Sequence, residues 1–300
     1  MTLMRPRGET SPSFALSLGA AVALDSNDFV VLGYSRELDD IESDLHPDVV
    51  QTTFVLRYSD SAREIIERLP QRLNDIWRAP TGPMYAVGEP RGVIEVTVQG
   101  LRETSIEPVP GTFASIWGPS DEHVFACGHV DPFWLYRRHG TWHLLELPHG
   151  VSGLWAVAGS SETDVYAVSD EGHILHFDGA RVRRLDSPTT RWLTSAVTMP
   201  GGRMCIAGRD GTLLFGNTHG WRVVDPGTDE HLLKVVQYDN GASFVTSDGV
   251  WHFDGLRPPQ RVHPKGGRWI NRIGDNLMID NDDEAWLLVG GQVVALDVTL

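Results

Sequence analysis

Apolar residues along this chain fall in short runs closed by turn residues, and no run sustains the spacing of a long amphipathic helix. Phe29-Val-Val-Leu-Gly, Met84-Tyr-Ala-Val-Gly, Val124-Phe-Ala-Cys-Gly, Val165-Tyr-Ala-Val-Ser, Met204-Cys-Ile-Ala-Gly and Ser243-Phe-Val-Thr are apolar almost throughout. Continuous runs of this length suit central strands covered on both faces. Asp-Gly pairs at 178–179, 210–211, 248–249 and 254–255 lie between apolar runs and mark tight hairpins. The pattern therefore predicts an all-β chain of short strands.

The strands repeat. Residues 154–179 hold a first strand, a polar turn, a second strand, a turn ending in Gly172, and a third strand closed by Asp178-Gly179. Related units precede and follow it, so that Gly88, Gly128, Ser169 and Gly208 lie 40, 41 and 39 residues apart. Such a period accommodates four strands and their turns. Units are expected to begin near residues 14, 72, 112, 150, 190, 230 and 268. One such sheet cannot bury both faces alone, whereas a closed ring packs each against two neighbours. The expected architecture is a single seven-bladed β-propeller over residues 1–300, with four-stranded antiparallel blades. Six blades is the alternative, if the N-terminal stretch fails to complete a blade. Glycines 88, 128 and 208 are expected where a turn requires positive φ. Trp77, Trp117 and Trp155 recur at what reads as one repeat position, as Trp142 and Trp221 do at another, which points to packing between blades.

The pattern of Trp155, then Val-Tyr-Ala-Val, then Gly-His-Ile-Leu-His-Phe-Asp-Gly resembles bacterial propeller repeats, distantly related in style to the WD and kelch families. The closing Trp-Asp and the Gly-His element of WD repeats are missing, as is the paired glycine of kelch. The resemblance implies a ring-shaped binding scaffold and no particular ligand, because fold alone does not settle function.

Composition narrows the classes. Asp and Glu number 40 against 25 Lys and Arg, for a net charge of -15. That excess repels nucleic acid and anionic membrane and favours a basic protein partner. Cys127 and Cys205 cannot build a disulfide framework and sit in apolar runs, as buried thiols do. The N-terminal Arg5 and Arg7 precede an apolar stretch, but Pro6, Glu9, Ser11 and Pro12 interrupt it, so a secretory leader is not expected and the cytoplasm is the expected address.

No phosphate loop, dinucleotide fingerprint, zinc-protease or nucleophile-elbow motif is present, and no catalytic residue, cofactor or metal is assigned. His123, His129, His139, His143 and His149 cluster in sequence without showing convergence, and His176 and His252 repeat before Phe-Asp-Gly as strand elements do. Candidate partner contacts are acidic or aromatic. Residues 34–53 form an insertion carrying Glu37, Asp39, Asp40, Glu42, Asp44 and Asp48, which stretches the interval from Gly33 to Gly88 to 55 residues. Insertions in repeats map to loops, often at a binding face. Asp280, Asp282, Asp283 and Glu284 form a second acidic run, which reads as a solvated turn, a partner surface or, lacking the full EF-hand pattern, a weak calcium candidate. Phe133 and Trp134 suit either a loop rim for stacking or the third strand of a blade.

These features favour a non-enzymatic protein-binding propeller that captures a basic partner. An immunity or inhibitor protein against a basic toxin is the specific alternative. A carbohydrate-binding propeller is a further alternative, as is a hydrolase or lyase on the central axis, for which Asp75, Arg191 and Arg272 are the candidates.

Overall fold

A computed structural model of the chain describes residues 16–25, 28–35, 52–59, 62–80, 82–89, 92–103, 109, 111–281 and 284–298. The short apolar runs form strands, and the strands form seven four-stranded antiparallel sheets. Each sheet is built from four consecutive strands joined by hairpins, so blades 1 to 7 span residues 16–69, 73–103, 112–144, 154–185, 193–223, 235–263 and 269–296. The architecture is a seven-bladed β-propeller. Six blades are excluded because residues 16–69 complete a blade of their own, with Phe29–Ser35 pairing with Thr53–Ser59 across the acidic insertion. The insertion residues Glu37 to Asp48 lie outside the described residues.

Burial follows position within the blade. Second strands such as Met84–Gly88 and Met204–Gly208 are buried along their whole length. Fourth strands, such as Thr141–Leu144 and Gly220–Val223, are largely exposed. The core is divided into seven clusters, each made by two adjacent blades. Between blades 3 and 4, for example, Phe125, Trp134 and Tyr136 pack with Leu154, Val165, Leu175 and Phe177. Phe125 stacks on Tyr136 at 4.4 Å between ring centroids. Each fully buried aromatic of this kind stabilises the fold by roughly 1.5–3 kcal/mol relative to leaving it exposed. Phe133 and Trp134 belong to these clusters, with 1% and 0% exposure, so neither sits on a loop rim where a partner could reach it. Their place in Phe133–Arg138, a third strand sandwiched between blades, is the reason. Cys127 and Cys205 are free and buried.

The ring closes without any sharing of strands between the chain ends, since all four strands of blade 1 come from its own stretch of chain. Polar side chains of blade 7 make the join instead. The carboxylate of Asp280 accepts the Leu18 amide at 3.1 Å, and Asn271 both accepts the Ala21 amide at 3.2 Å and donates to the Gly19 carbonyl at 2.7 Å. The Leu16 amide donates to the Val298 carbonyl at 2.9 Å. Around these bonds Leu16, Phe29 and Phe54 pack with Ile273, Met278 and Ala285. Asp280 is fully buried, so the expected acidic surface run loses its first member to ring closure. Asp282 and Asp283 lie outside the described residues. Glu284 is exposed and pairs with Lys265 at 3.1 Å.

Replacing Asp280 by Ala leaves a buried amide of the opposite chain end without its acceptor, a loss of about 1–3 kcal/mol. Urea unfolding of Asp280→Ala is expected to show that drop, while the exposed Glu284→Ala stays within about 0.5 kcal/mol of the parent. Equal effects from the two substitutions would overturn the closure role.

Candidate functional site

The first strands of blades 2 to 5 share an irregularity that the sequence does not announce. In each, one residue is skipped in the pairing with the second strand, which places a β-bulge at Asn74, Ala114, Trp155 and Thr194. A bulge adds twist and re-aims side chains, and all four of these residues line a cavity of about 380 Å³ at one mouth of the central channel. Opposite the bulges sit Gly88, Gly128, Ser169 and Gly208. The three glycines do not adopt the positive φ expected of them. They are required because a Cβ would run into the backbone of Arg72, Thr112 and Trp192 where the first strand crosses close by.

The register also separates three tryptophans that look equivalent in sequence. Trp77 and Trp117 pair with Tyr85 and Phe125 and stack on them at 6.2 Å. The corresponding residue of blade 4, opposite Tyr166, is Ala158. Trp155 lies at the other end of its strand, on the bulge, and lines the channel mouth rather than joining an inter-blade core cluster. There it meets the His129 ring at 4.1 Å and the Trp192 ring at 4.8 Å, both tilted. The Arg209 guanidinium lies 3.6 Å over the Trp192 ring, close enough for cation–π attraction. Nδ1 of His129 donates to the Thr112 carbonyl at 3.3 Å, and burial pushes the imidazole's pKa below its ordinary value. Trp142 and Trp221 do pack against inter-blade clusters.

Below the mouth, Asp75 and Lys234 border both this cavity and a second one of about 530 Å³ toward the opposite face, and so mark the waist of the channel. Asp75 accepts the Ser115 hydroxyl at 2.9 Å and the Ile116 amide at 3.1 Å from blade 3. Burial raises its pKa, an effect opposed first by the charge of Lys234 and then by these hydrogen bonds. Burial lowers the pKa of Lys234, and the charge of Asp75 opposes that. Lys234 Nζ donates to Asn271 Oδ1 at 2.7 Å, which ties the channel waist to the side chain that closes the ring.

Of the three residues considered for a central-axis enzyme, the channel receives only Asp75. Arg191 is exposed and donates to the Asp210 carbonyl at 2.7 Å, while Arg272 donates to the Gly274 carbonyl at 2.8 Å and to Gln237. The histidines do not converge on the channel: His123 bonds the Tyr136 hydroxyl at 2.6 Å and meets the His139 ring at 6.4 Å, His176 bonds Asp164 at 2.9 Å, and among the described histidines His129 alone lines the mouth. Among the described residues, no three His, Cys, Asp or Glu side chains gather in a way that suits a metal. Nor is any helix among them long and apolar enough to cross a membrane.

The turn chemistry has a consequence in three dimensions. The loops joining second to third strands in blades 2 to 7 emerge on the face that carries the aromatic mouth. In blades 2 to 7 that loop presents an exposed acid: Glu89, Asp131, Glu171, Asp210, Asp248 and Glu284. Asp131 and Asp210 have φ of 61° and 53°, a left-handed conformation that Asp tolerates in tight turns. Local geometry thus selects Asp, and ring topology gathers these acids into a crown. In blade 1 the same connection is residues 36–52, within the insertion of residues 34–53 that the sequence shows to be acidic. Asp210 pairs with His231 and Asp248 with Arg261, each at 3.5 Å, Glu284 pairs with Lys265 at 3.1 Å and Glu171 lies 3.8 Å from His173, yet all six acids stay exposed.

The channel waist yields a double-mutant cycle. Lys234→Met leaves Asp75 without the charge that opposes its burial, and Asp75→Asn does the same to Lys234, so each single change is expected to destabilise the ring. The double variant is expected to cost less than their sum, with a coupling of about 1–3 kcal/mol in denaturant unfolding. Strict additivity would show that the two charges do not support one another.

No family model matches the chain. The immune protein Tsi7 of Pseudomonas aeruginosa is 31% identical over 137 residues, a match that covers 42% of this chain and 44% of that protein. The match therefore spans less than half the length of that relative. Among solved structures, the WD40 β-propeller domain of Doa1 superposes with a TM-score of 0.71 at 11% identity, covering 92% of this chain and 95% of that one. YCF48 bound to D1 peptide gives 0.66 at 16% identity, covering 94% and 96%. A catalytically inactive virginiamycin B lyase from Staphylococcus aureus with quinupristin gives 0.67 at 9% identity, covering 90% and 94%. At such identities these likenesses establish the propeller fold and nothing about its ligand. The chain is a seven-bladed β-propeller resembling WD-type propellers, without assignment to a named family.

Proposed function

We propose that this chain is a non-enzymatic binding protein that captures a basic protein partner, in the manner of an immunity protein against a toxin. The observation that carries this reading is the 31% identity to a protein named as an immune protein. The charge distribution supports it: a net charge of -15 draws a basic partner in, and the acidic loops concentrate that attraction on one face of the ring. Glu37, Asp39, Asp40, Glu42, Asp44 and Asp48 belong to the proposed contact by sequence, and Glu284 by position; Asp282 and Asp283 join them as neighbours of Glu284. The alternatives have less behind them. A glycan platform built on Trp134 loses its anchor to the core, and a central-axis hydrolase or lyase keeps Asp75 as its single candidate in the channel.

Immobilised full-length chain is expected to retain a basic protein from lysate of its native organism at low salt. The association rate with that protein is then expected to fall steeply as salt rises. A charge-reversed variant, Glu171→Lys with Asp210→Lys and Asp248→Lys, is expected to slow association at least about tenfold while changing dissociation less. An association rate indifferent to both salt and charge reversal would sink capture of a basic partner.

A further inference from the structure

We propose that the mouth of the central channel, between Arg72 and Arg209, is a binding site for a monocarboxylate carried on an apolar or aromatic group. This assignment does not depend on capture of a toxin. It rests on an arrangement inside the acidic crown that has the opposite sign.

Arg72 enters the cavity from blade 2 and Arg209 from blade 5, on opposed sides of the ring. Among the described residues neither guanidinium makes a hydrogen bond or an ion pair. Several other arginines are engaged: Arg57 pairs with Asp28, and Arg78, Arg191 and Arg222 donate to backbone carbonyls. Arg68 and Arg203 also lie over aromatic rings without an acceptor, but neither lines the cavity. Arg209 is also held in place, stacked 3.6 Å over Trp192 with its N–H edge left for an acceptor. A guanidinium fixed on an aromatic face and lacking an acceptor is preorganised for a bidentate carboxylate. Beside it, Trp155 and Trp192 offer apolar surface for the group that bears the carboxylate.

Charge counting selects the anion. The cavity wall holds three cationic side chains, Arg72, Arg209 and Lys234, against two acidic ones, Asp75 and Glu89, which leaves one unmatched positive charge. Burial lowers the pKa of His129 and so favours its neutral form. One unmatched charge fits a monoanion. A phosphate dianion or a nucleic acid would carry excess negative charge past the surrounding acidic loops at a cost. The cavity volume of about 380 Å³ falls within the range of small-ligand sites. The same chemistry is available from a free small acid or from the C-terminal end of a protein chain.

The test titrates the full chain with N-acetyl-phenylalanine, its neutral amide, phenyl phosphate and the peptide acetyl-Ala-Ala-Phe, read by calorimetry and by tryptophan fluorescence. The acid is expected to bind with a dissociation constant of about 1 mM or tighter, and the amide at least about tenfold more weakly. Arg72→Gln and Arg209→Gln, both at exposed positions, are each expected to weaken the acid about tenfold and leave the amide unchanged, with circular dichroism confirming the fold. Glu162→Gln, on the opposite face, is expected to alter nothing. Tighter binding of the peptide than of N-acetyl-phenylalanine assigns the site to a protein chain end, and equal binding assigns it to a free acid; both uphold the proposal. Equal binding of acid and amide, a preference for phenyl phosphate, unchanged acid binding in the arginine variants, or no binding of the acid would each overturn it.

Discussion

A four-stranded sheet that is apolar on both faces has no stable existence until something covers those faces, and here the cover is always the next blade. Every core cluster belongs jointly to two blades, so the energy that folds one blade is held in interfaces with its neighbours. The interface between blade 7 and blade 1 joins the two ends of the described chain. It has the same apolar filling as the others, with Leu16 and Phe54 against Met278 and Ala285. It also has Asp280 and Asn271 reaching into the backbone of the first strand. Because no strand is exchanged between the ends, directional hydrogen bonds fix the register that a shared strand would otherwise impose.

The channel inherits its chemistry from the same constraint. First strands crowd around the axis, and bulges relieve that crowding in blades 2 to 5 by turning Asn74, Ala114, Trp155 and Thr194 toward the opening. The glycines opposite keep the backbones close enough for this to happen. The outcome is a face with two zones of opposite character: a rim of acids on hairpin turns, and an aromatic mouth with two unengaged guanidinium groups. The proposed long-range attraction of a basic protein and the proposed short-range recognition of a carboxylate are therefore separable on one surface. The first acts over a Debye length and is screened by salt, while the second depends on contact geometry.

Legibility differed sharply between fold and site. Apolar runs and turn pairs sufficed for seven blades because each blade repeats the same local signals. The site escaped for three reasons visible in single residues. Trp155 resembles Trp77 and Trp117 in the sequence, but it stands three residues earlier in its strand, on the bulge position that Asn74 and Ala114 hold in blades 2 and 3, and Ala158 takes the equivalent place. Asp280 stands in an acidic run that reads as surface, yet its partner amide at Leu18 lies 262 residues away along the chain. Phe133 and Trp134 carry the composition of a stacking platform and the position of a buried third strand, and position decides.

The sequence by itself determined the class of structure, the repeat that points to seven blades, the buried thiols and the overall sign of the charge. These follow from apolar runs, spacing and composition, which are local or summed properties. Only the tertiary structure decided that the acids of separate hairpins share one face, that Asp280 and Asn271 clasp the ends, and that Arg72 and Arg209 line one aromatic mouth. Those relations join residues from different blades, and they exist only once the ring has closed and brought distant stretches of chain within reach of one another.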